Sequence, residues 1–220
     1  MSAAVEAGQK KITLKEKETK IFSLLESVGL TPPELYLYKY PHQLSGGQRQ
    51  RILMARALAL NPKIIVADEP VSMIDVSLRI SILNLMLQLN REKGISFVYV
   101  THDLSTAKYI ANEGRIVVMY LGEIMEESKL NVLLDAPKHP YTQALISAVP
   151  IPDPKIARLD KPIPIKNMDL MSLEKRKEGC PFMDRCLYAE ERCKQQIVPQ
   201  QKDGSLVKCV LEASPQWDGL

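Results

Sequence analysis

The sequence predicts an α/β fold: a parallel sheet with a helical subdomain ahead of it and a small cysteine-rich extension at its C-terminal end. Three observations carry this. Two short, mainly apolar runs, residues 63–67 and 95–100, alternate with helix-length apolar-periodic segments, the pattern of strands buried in a parallel sheet. Proline density rises from Pro137 onward. All four cysteines, Cys180, Cys186, Cys193 and Cys209, follow that proline-rich stretch.

The composition sets bounds. The chain has 220 residues, 45% hydrophobic and 25% charged, enough for one sizeable core plus an appendage. A net charge of +3 from 29 basic and 26 acidic side chains is too even to suggest a nucleic-acid or lipid-binding surface, so no nucleic-acid partner is expected. No apolar run approaches the length of a membrane span, and no apolar segment follows Lys10 and Lys11 as in a signal peptide. The expectation is a cytoplasmic protein able to dock on a membrane protein.

In order along the chain, residues 12–29 read as a helix, with Ile12, Leu14, Ile21, Phe22, Leu24, Leu25 and Val28 at helical spacing and Gly29 as its stop. Residues 31–42 read as a loop. Ser45-Gly46-Gly47 then opens an apolar-periodic helix that ends at Asn61-Pro62. A buried strand at 63–67 is followed by a helix over 75–92, apolar nearly all round and therefore expected to be well buried. A second buried strand covers 95–100, and a helix runs from 104 to about 111. Residues 115–120 and 123–126 around Leu121-Gly122 predict a hairpin, and 129–134 a short helix. Residues 148–170 read as an extended proline-rich linker. Residues 171–220 hold too few large apolar side chains for a core of their own, so a metal is expected to hold them together.

The residues that carry chemistry sit at the ends of these elements. Ser45-Gly46-Gly47 lies at a helix N-terminus, where unpaired N–H groups and the helix dipole favour an anion and glycine lets it approach. Asp68 and Glu69 end the first strand, the edge where open parallel sheets bind ligands. Paired carboxylates there can divide the work of holding a hydrated Mg²⁺ and deprotonating a water. His102 ends the second strand and is expected at the same edge. Taken singly these are a serine cap, an Asp-Glu-Pro turn and a lone structural histidine.

Taken together they are more specific. Leu44-Ser45-Gly46-Gly47-Gln48-Arg49-Gln50-Arg51, then Ile64-Ile65-Val66-Ala67-Asp68-Glu69-Pro70, then Ser72-Met73-Ile74-Asp75, then Val100-Thr101-His102-Asp103 resembles the ATPase domain of ABC transporters. The four stretches match its signature motif, Walker B, D-loop and switch histidine, and the resemblance implies a P-loop-NTPase-like parallel sheet. It further implies that Ser45, Gly46, Gly47 and Gln48 bind the γ-phosphate of ATP held by an opposing subunit. Asp68 would bind Mg²⁺ through water, Glu69 would be the general base, and His102 would sense the γ-phosphate. Ser72 and Asp75 would lie at the dimer seam. Met73-Ile74 replace the small residues usual in that D-loop.

The tail narrows the resemblance. His139-Pro140-Tyr141-Thr142-Gln143-Ala144-Leu145 and the segment from Ala148 to Pro154 are similar to the extension of oligopeptide and dipeptide importer ATPases, as is Gly179-Cys180-Pro181-Phe182 with Arg185-Cys186 and Cys193. Outside the nucleotide motifs, His139 reads as a packing or capping residue. The spacing C-x₅-C-x₆-C-x₁₅-C suits a tetrathiolate site, wider than usual zinc pairs and leaning toward an iron–sulfur cluster. The importer resemblance implies [4Fe–4S]. Zinc and four reduced structural thiols remain the alternatives.

One motif is missing. No G-x-x-x-x-G-K-[ST] occurs in the 220 residues, so no P-loop lysine stands ready for the β- and γ-phosphates. The resemblance then covers the C-terminal two-thirds of such an ATPase, as in a truncated chain, a split or broken gene, or a mis-called start. The expected layout is a helical subdomain remnant with the signature over 1–60, an α/β ATPase core over 61–147, the linker over 148–170 and the cysteine-rich extension over 171–220.

The leading expectation is the ATPase subunit of an ABC importer for oligopeptides or dipeptides, peripheral on the cytoplasmic membrane face. Its partners would be a second ATPase, two membrane permeases and an extracytoplasmic binding protein. The chain alone is expected to hydrolyse no ATP and to aggregate through exposed apolar surface. A non-catalytic partner that lends its signature in trans is the first alternative. A soluble non-transport ABC ATPase is the second, disfavoured by the importer-like extension.

Overall fold

The computed structural model describes residues 13–72, 74–112, 114–149, 163–167, 178–212 and 215. The chain divides into two units, residues 1–102 and 103–220.

In the first unit, α1 (Leu14–Ser27) starts at Thr13, whose hydroxyl oxygen accepts from the Glu16 N–H while the Glu16 carboxylate accepts from Thr13 N–H, a capping box. The predicted loop contains a one-turn helix, α2 (Glu34–Leu37), and a 3-10 turn over Pro41–Gln43. α3 (Gly46–Leu58), β1 (Ile64–Asp68), α4 (Val76–Lys93) and β2 (Ser96–Val100) follow. β1 and β2 pair in parallel, Ile64 opposite Ser96 through Asp68 opposite Val100. The buried apolar residues of α4, Ile82, Leu83, Leu85, Met86 and Leu89, make its core face, and Met54, Ala55 and Leu58 make that of α3.

Two expectations of burial need correction. The mainly apolar strands predict burial on both faces, yet Ile64 is 62% and Val66 68% exposed on β1, and Val98 51% and Val100 46% on β2. Alternate residues point to opposite faces, and among the described residues of this unit only one face of the strand pair is covered. α4 is likewise buried along one stripe, with Val76 and Ile80 on its exposed side. An apolar residue states a preference for burial, and whether another element covers it is a tertiary matter.

In the second unit, α5 (Leu104–Ile110) leads into β3 (Arg115–Tyr120) and β4 (Glu123–Lys129), which form the predicted hairpin. Leu121 and Gly122 both adopt positive φ, the two-residue turn that matches strand twist. α6 (Leu130–Asp135) and α7 (Pro140–Ser147) follow. Beyond them β5 (Gln200–Lys202) and β6 (Ser205–Val207) extend the hairpin into an antiparallel sheet of order β3-β4-β6-β5. Phe182 is the hub of the core here, 1% exposed, edge-on to Tyr120 at 5.5 Å and tilted on Tyr141 at 5.2 Å. Met125, Ala144 and Cys186 pack in the same cluster, with Ile163 and Ile165 against it.

Candidate functional site

The predicted nucleotide residues all fall in the first unit. Ser45 caps α3: its Oγ accepts from the Gln48 N–H at 3.3 Å, and Gln48 Oε1 accepts from the Ser45 N–H at 3.0 Å. Gly46 and Gly47 occupy the first turn, whose amides have no intrahelical acceptor. A Cβ on Gly47 would lie 3.1 Å from the Leu78 side chain, and one on Gly46 3.3 Å from Ile74. The two glycines therefore let the start of α3 lie directly on the start of α4.

Asp75 caps that start. Its Oδ1 accepts from the Leu78 N–H at 3.0 Å and the Ser77 hydroxyl at 2.7 Å, and these bonds, the backbone one foremost, hold its carboxyl below the usual range. Ser72 donates its hydroxyl to the Glu69 carbonyl at 3.0 Å.

Asp68 ends β1 and is exposed. Glu69, the next residue, has φ +46°, the left-handed region that a non-glycine residue enters at a cost of order 1–3 kcal/mol. Its N–H donates to the Val100 carbonyl at 2.9 Å, continuing the β1–β2 ladder by one step. The strained backbone turns the side chain toward β2, where Oε1 accepts from the His102 N–H at 3.1 Å and meets His102 Nδ1 at 2.6 Å. For that ring contact to be a hydrogen bond, Nδ1 carries the proton. The pair is open: the side chains are 82% exposed for His102 and 34% for Glu69. A carboxylate within reach of water, beside a second carboxylate and an imidazole, is suited to taking a proton from a water and passing it on.

Arg51 is a residue whose structural part the motif pattern hides. Its guanidinium donates to the Val28 carbonyl at the end of α1 and, at 2.5 Å, to Ser81 Oγ on α4. It ties three helices of the first unit together.

The cysteines form a second site, in the second unit. Cys180, Cys186, Cys193 and Cys209 are free thiols lining one cavity with His139, Met183 and Tyr188. Gly179, at φ +96°, makes the approach possible: a Cβ there would meet the Cys193 carbonyl oxygen at 2.2 Å, the same oxygen that accepts from the Cys180 N–H at 2.8 Å. Burial pushes the Cys180 thiol up to about 12 and Cys186 to about 11, and each is raised further by other thiols of the group. Burial also raises Cys209. Cys180, Cys186 and Cys209, each raised also by neighbouring thiols, form with Cys193 a donor set that a cationic centre would relieve. Among the described residues, however, no three His, Cys, Asp or Glu side chains converge closely enough to hold one metal ion. The arrangement thus gives no support to a bound metal ion; what it shows is four thiols on one cavity, the donor type of a tetrathiolate group.

Among the described residues no helix is long and apolar enough to cross a membrane.

Comparison with known proteins agrees with these motifs. Residues 2–72 match the family described as ABC transporter, and residues 125–193 match the oligopeptide/dipeptide transporter C-terminal region. The chain is 44% identical over 201 residues to the dipeptide transport ATP-binding protein DppF of Haemophilus influenzae, covering 90% of this chain and 59% of that protein. It is 43% identical over 204 residues to the oligopeptide transport ATP-binding protein OppF of the same organism, covering 92% of this chain and 60% of the relative. The chain therefore spans about three-fifths of the length of these relatives. Among solved structures, the ADP conformation of MJ1267, an ATP-binding cassette of an ABC transporter, matches with TM-score 0.50 and 34% identity, covering 60% of this chain and 52% of that one.

Proposed function

We propose, from the premise that this chain belongs to the ABC transporter ATP-binding family with the C-terminal region of oligopeptide and dipeptide transporters, that it energises import of short peptides by ATP hydrolysis. The observation that carries the catalytic part is the Glu69–His102 contact of 2.6 Å at the end of the β1–β2 pair, next to Asp68.

In this reading Glu69 is the general base and takes a proton from the attacking water. His102 holds the Glu69 carboxylate through its N–H and ring, and it exchanges that contact for the γ-phosphate when nucleotide arrives. Asp68, exposed at the strand end, holds Mg²⁺ through water. Bound with ATP, Mg²⁺ neutralises charge on the β- and γ-phosphates. Ser45, Gly46, Gly47 and Gln48 present first-turn donors to ATP held by a second ATPase subunit, and Ser72 and Asp75 lie along the seam with it. The assembly contains two permeases and an extracytoplasmic binding protein, with this subunit peripheral on the cytoplasmic face. Cysteines 180, 186, 193 and 209 hold a [4Fe–4S] cluster rather than zinc. Support comes from their common cavity and their free thiols.

A second reading rests on the absence of G-x-x-x-x-G-K-[ST] from these 220 residues. Here the chain lends its signature to a partner's ATP and turns over none itself. One experiment separates the two. ATP hydrolysis is measured on the 220-residue chain alone and on the transporter assembled with it, each with and without Glu69→Gln. The chain alone is expected to be inactive, and the assembly is expected to lose about 100-fold or more in turnover, the usual size of a general-base contribution. Unchanged turnover in the variant assembly removes Glu69 as the base and favours the lending role. Robust turnover by the chain alone, abolished by Glu69→Gln, overturns the expected inactivity.

A further inference from the structure

His139 belongs to none of the roles above, and its surroundings are unusual. It is 1% exposed, and it lines the cavity that the four cysteines share. Its backbone N–H donates to Glu126 Oε2 at 2.8 Å, and Glu126 is itself fully buried. Its ring caps α7: Nδ1 accepts from the Tyr141 N–H at 3.0 Å. An Nδ1 that accepts carries no proton, so in the neutral ring the proton is on Nε2. Nε2 is buried and among the described residues has no hydrogen-bond partner. The Lys208 carbonyl, next to Cys209, lies near enough to favour a protonated ring, yet it does not reach hydrogen-bond geometry with Nε2. A buried N–H without an acceptor is destabilising, and such a group calls for an explanation.

We propose that His139 Nε2–H is the hydrogen-bond donor to a sulfur of the group that the four cysteines hold. This rests on the reading of those cysteines as an iron–sulfur site. The tautomer excludes His139 as a ligand, because the lone pair a metal would need on Nε2 is replaced by a proton. The backbone of α7 enforces that tautomer through Tyr141, so the donor is fixed before the cluster arrives. His139 is therefore a positioning residue. Hydrogen bonds to cluster sulfurs stabilise the added negative charge of the reduced state and raise the reduction potential.

The test uses the 220-residue chain reconstituted anaerobically with iron(II) and sulfide. Iron content and the one-electron midpoint potential, titrated with dithionite, are measured for wild type, Cys186→Ser and His139→Asn. Asparagine keeps a capping acceptor for Tyr141 N–H but is too short to reach the cavity as the ring does. Wild type is expected to load iron and Cys186→Ser to lose it. His139→Asn is expected to load as wild type does, at a potential lower by about 59 mV or more, a tenfold change in the reduction equilibrium. An unchanged potential overturns the donor role and leaves the cluster standing. Loss of iron in His139→Asn, with the chain still folded, makes His139 a ligand and also overturns the donor role. A wild-type chain that takes up no iron overturns the cluster reading and the donor role with it. Pulsed EPR of the reduced wild-type cluster with isotopically labelled histidine needs no variant. A weak nitrogen coupling is expected, and a strong one or none counts against the donor.

Discussion

Each unit of the molecule contains a glutamate and a histidine brought together, and the two pairs behave as opposites. In the first unit His102 lies open to solvent, and its ring meets Glu69 at 2.6 Å. In the second unit Glu126 is 0% and His139 1% exposed, and among the described residues the carboxylate engages backbone: the N–H of Lys138 at 2.9 and 3.2 Å and that of His139 at 2.8 Å. The His139 ring turns away to cap α7. The same two residue types thus make a contact that water can compete for in one place and a fixed architectural joint in the other. Solvent exposure decides which.

Four changes would break or sharpen this contrast. The largest effect is expected from Glu69→Gln in the assembled transporter, with turnover down about 100-fold or more while the denaturant midpoint of the chain hardly moves. A large loss of folding stability there would make the open pair structural. Next is Glu126→Ala. It strands the buried His139 N–H and the part-buried Lys138 N–H, at about 1–3 kcal/mol each, so chemical denaturation of the second unit is expected to show roughly 3 kcal/mol of lost stability. A loss below about 1 kcal/mol would mean that the joint is not structural.

The third change is pH. Burial above all, with a smaller contribution from the Lys202 charge, pushes His139 down from 6.5 to about 3, while the unfolded ring keeps its ordinary value. Below about pH 6.5 the unfolded chain therefore binds a proton that the folded chain refuses. Stability is full above that pH and falls as pH drops toward 3, with a slope approaching ~1.4 kcal/mol per unit. Denaturation midpoints from pH 7 to 4 should show the slope, and His139→Asn should flatten it. An equal slope in the variant assigns the effect to other groups. The smallest change is Ser45→Ala, expected to cost about 1 kcal/mol by removing the cap of α3, against a few tenths for Ser45→Gly. Equal losses for the two would show that the cap contributes little.

Much of the local structure is legible because its causes are local. The cap at Ser45, the end of α4 at Gly94 and the Leu121-Gly122 turn all follow from residues within a few positions of one another. The motif order also points to the right family, since its spacing records which residues must share a strand edge. Less legible are contacts made across long sequence separations. The 2.6 Å contact spans residues 69 to 102, and the strand β6 that pairs with β4 comes from the cysteine-rich tail that composition describes as lacking a core. Arg51 reads as part of a motif, although its guanidinium acts as a tie between helices.

By itself the sequence determined α1, α3 to α6 and β1 to β4, the serine cap of α3, the residues at the strand ends and the set of four thiols. Tertiary structure decided which faces of β1 and β2 are covered. It also decided that Glu69 bends into a left-handed backbone to reach His102, and that four cysteines spread over the tail line one cavity with the buried His139. The reason is physical. Propensity and capping energies depend on neighbours in the chain, whereas burial, ionisation and the satisfaction of a donor depend on neighbours in space.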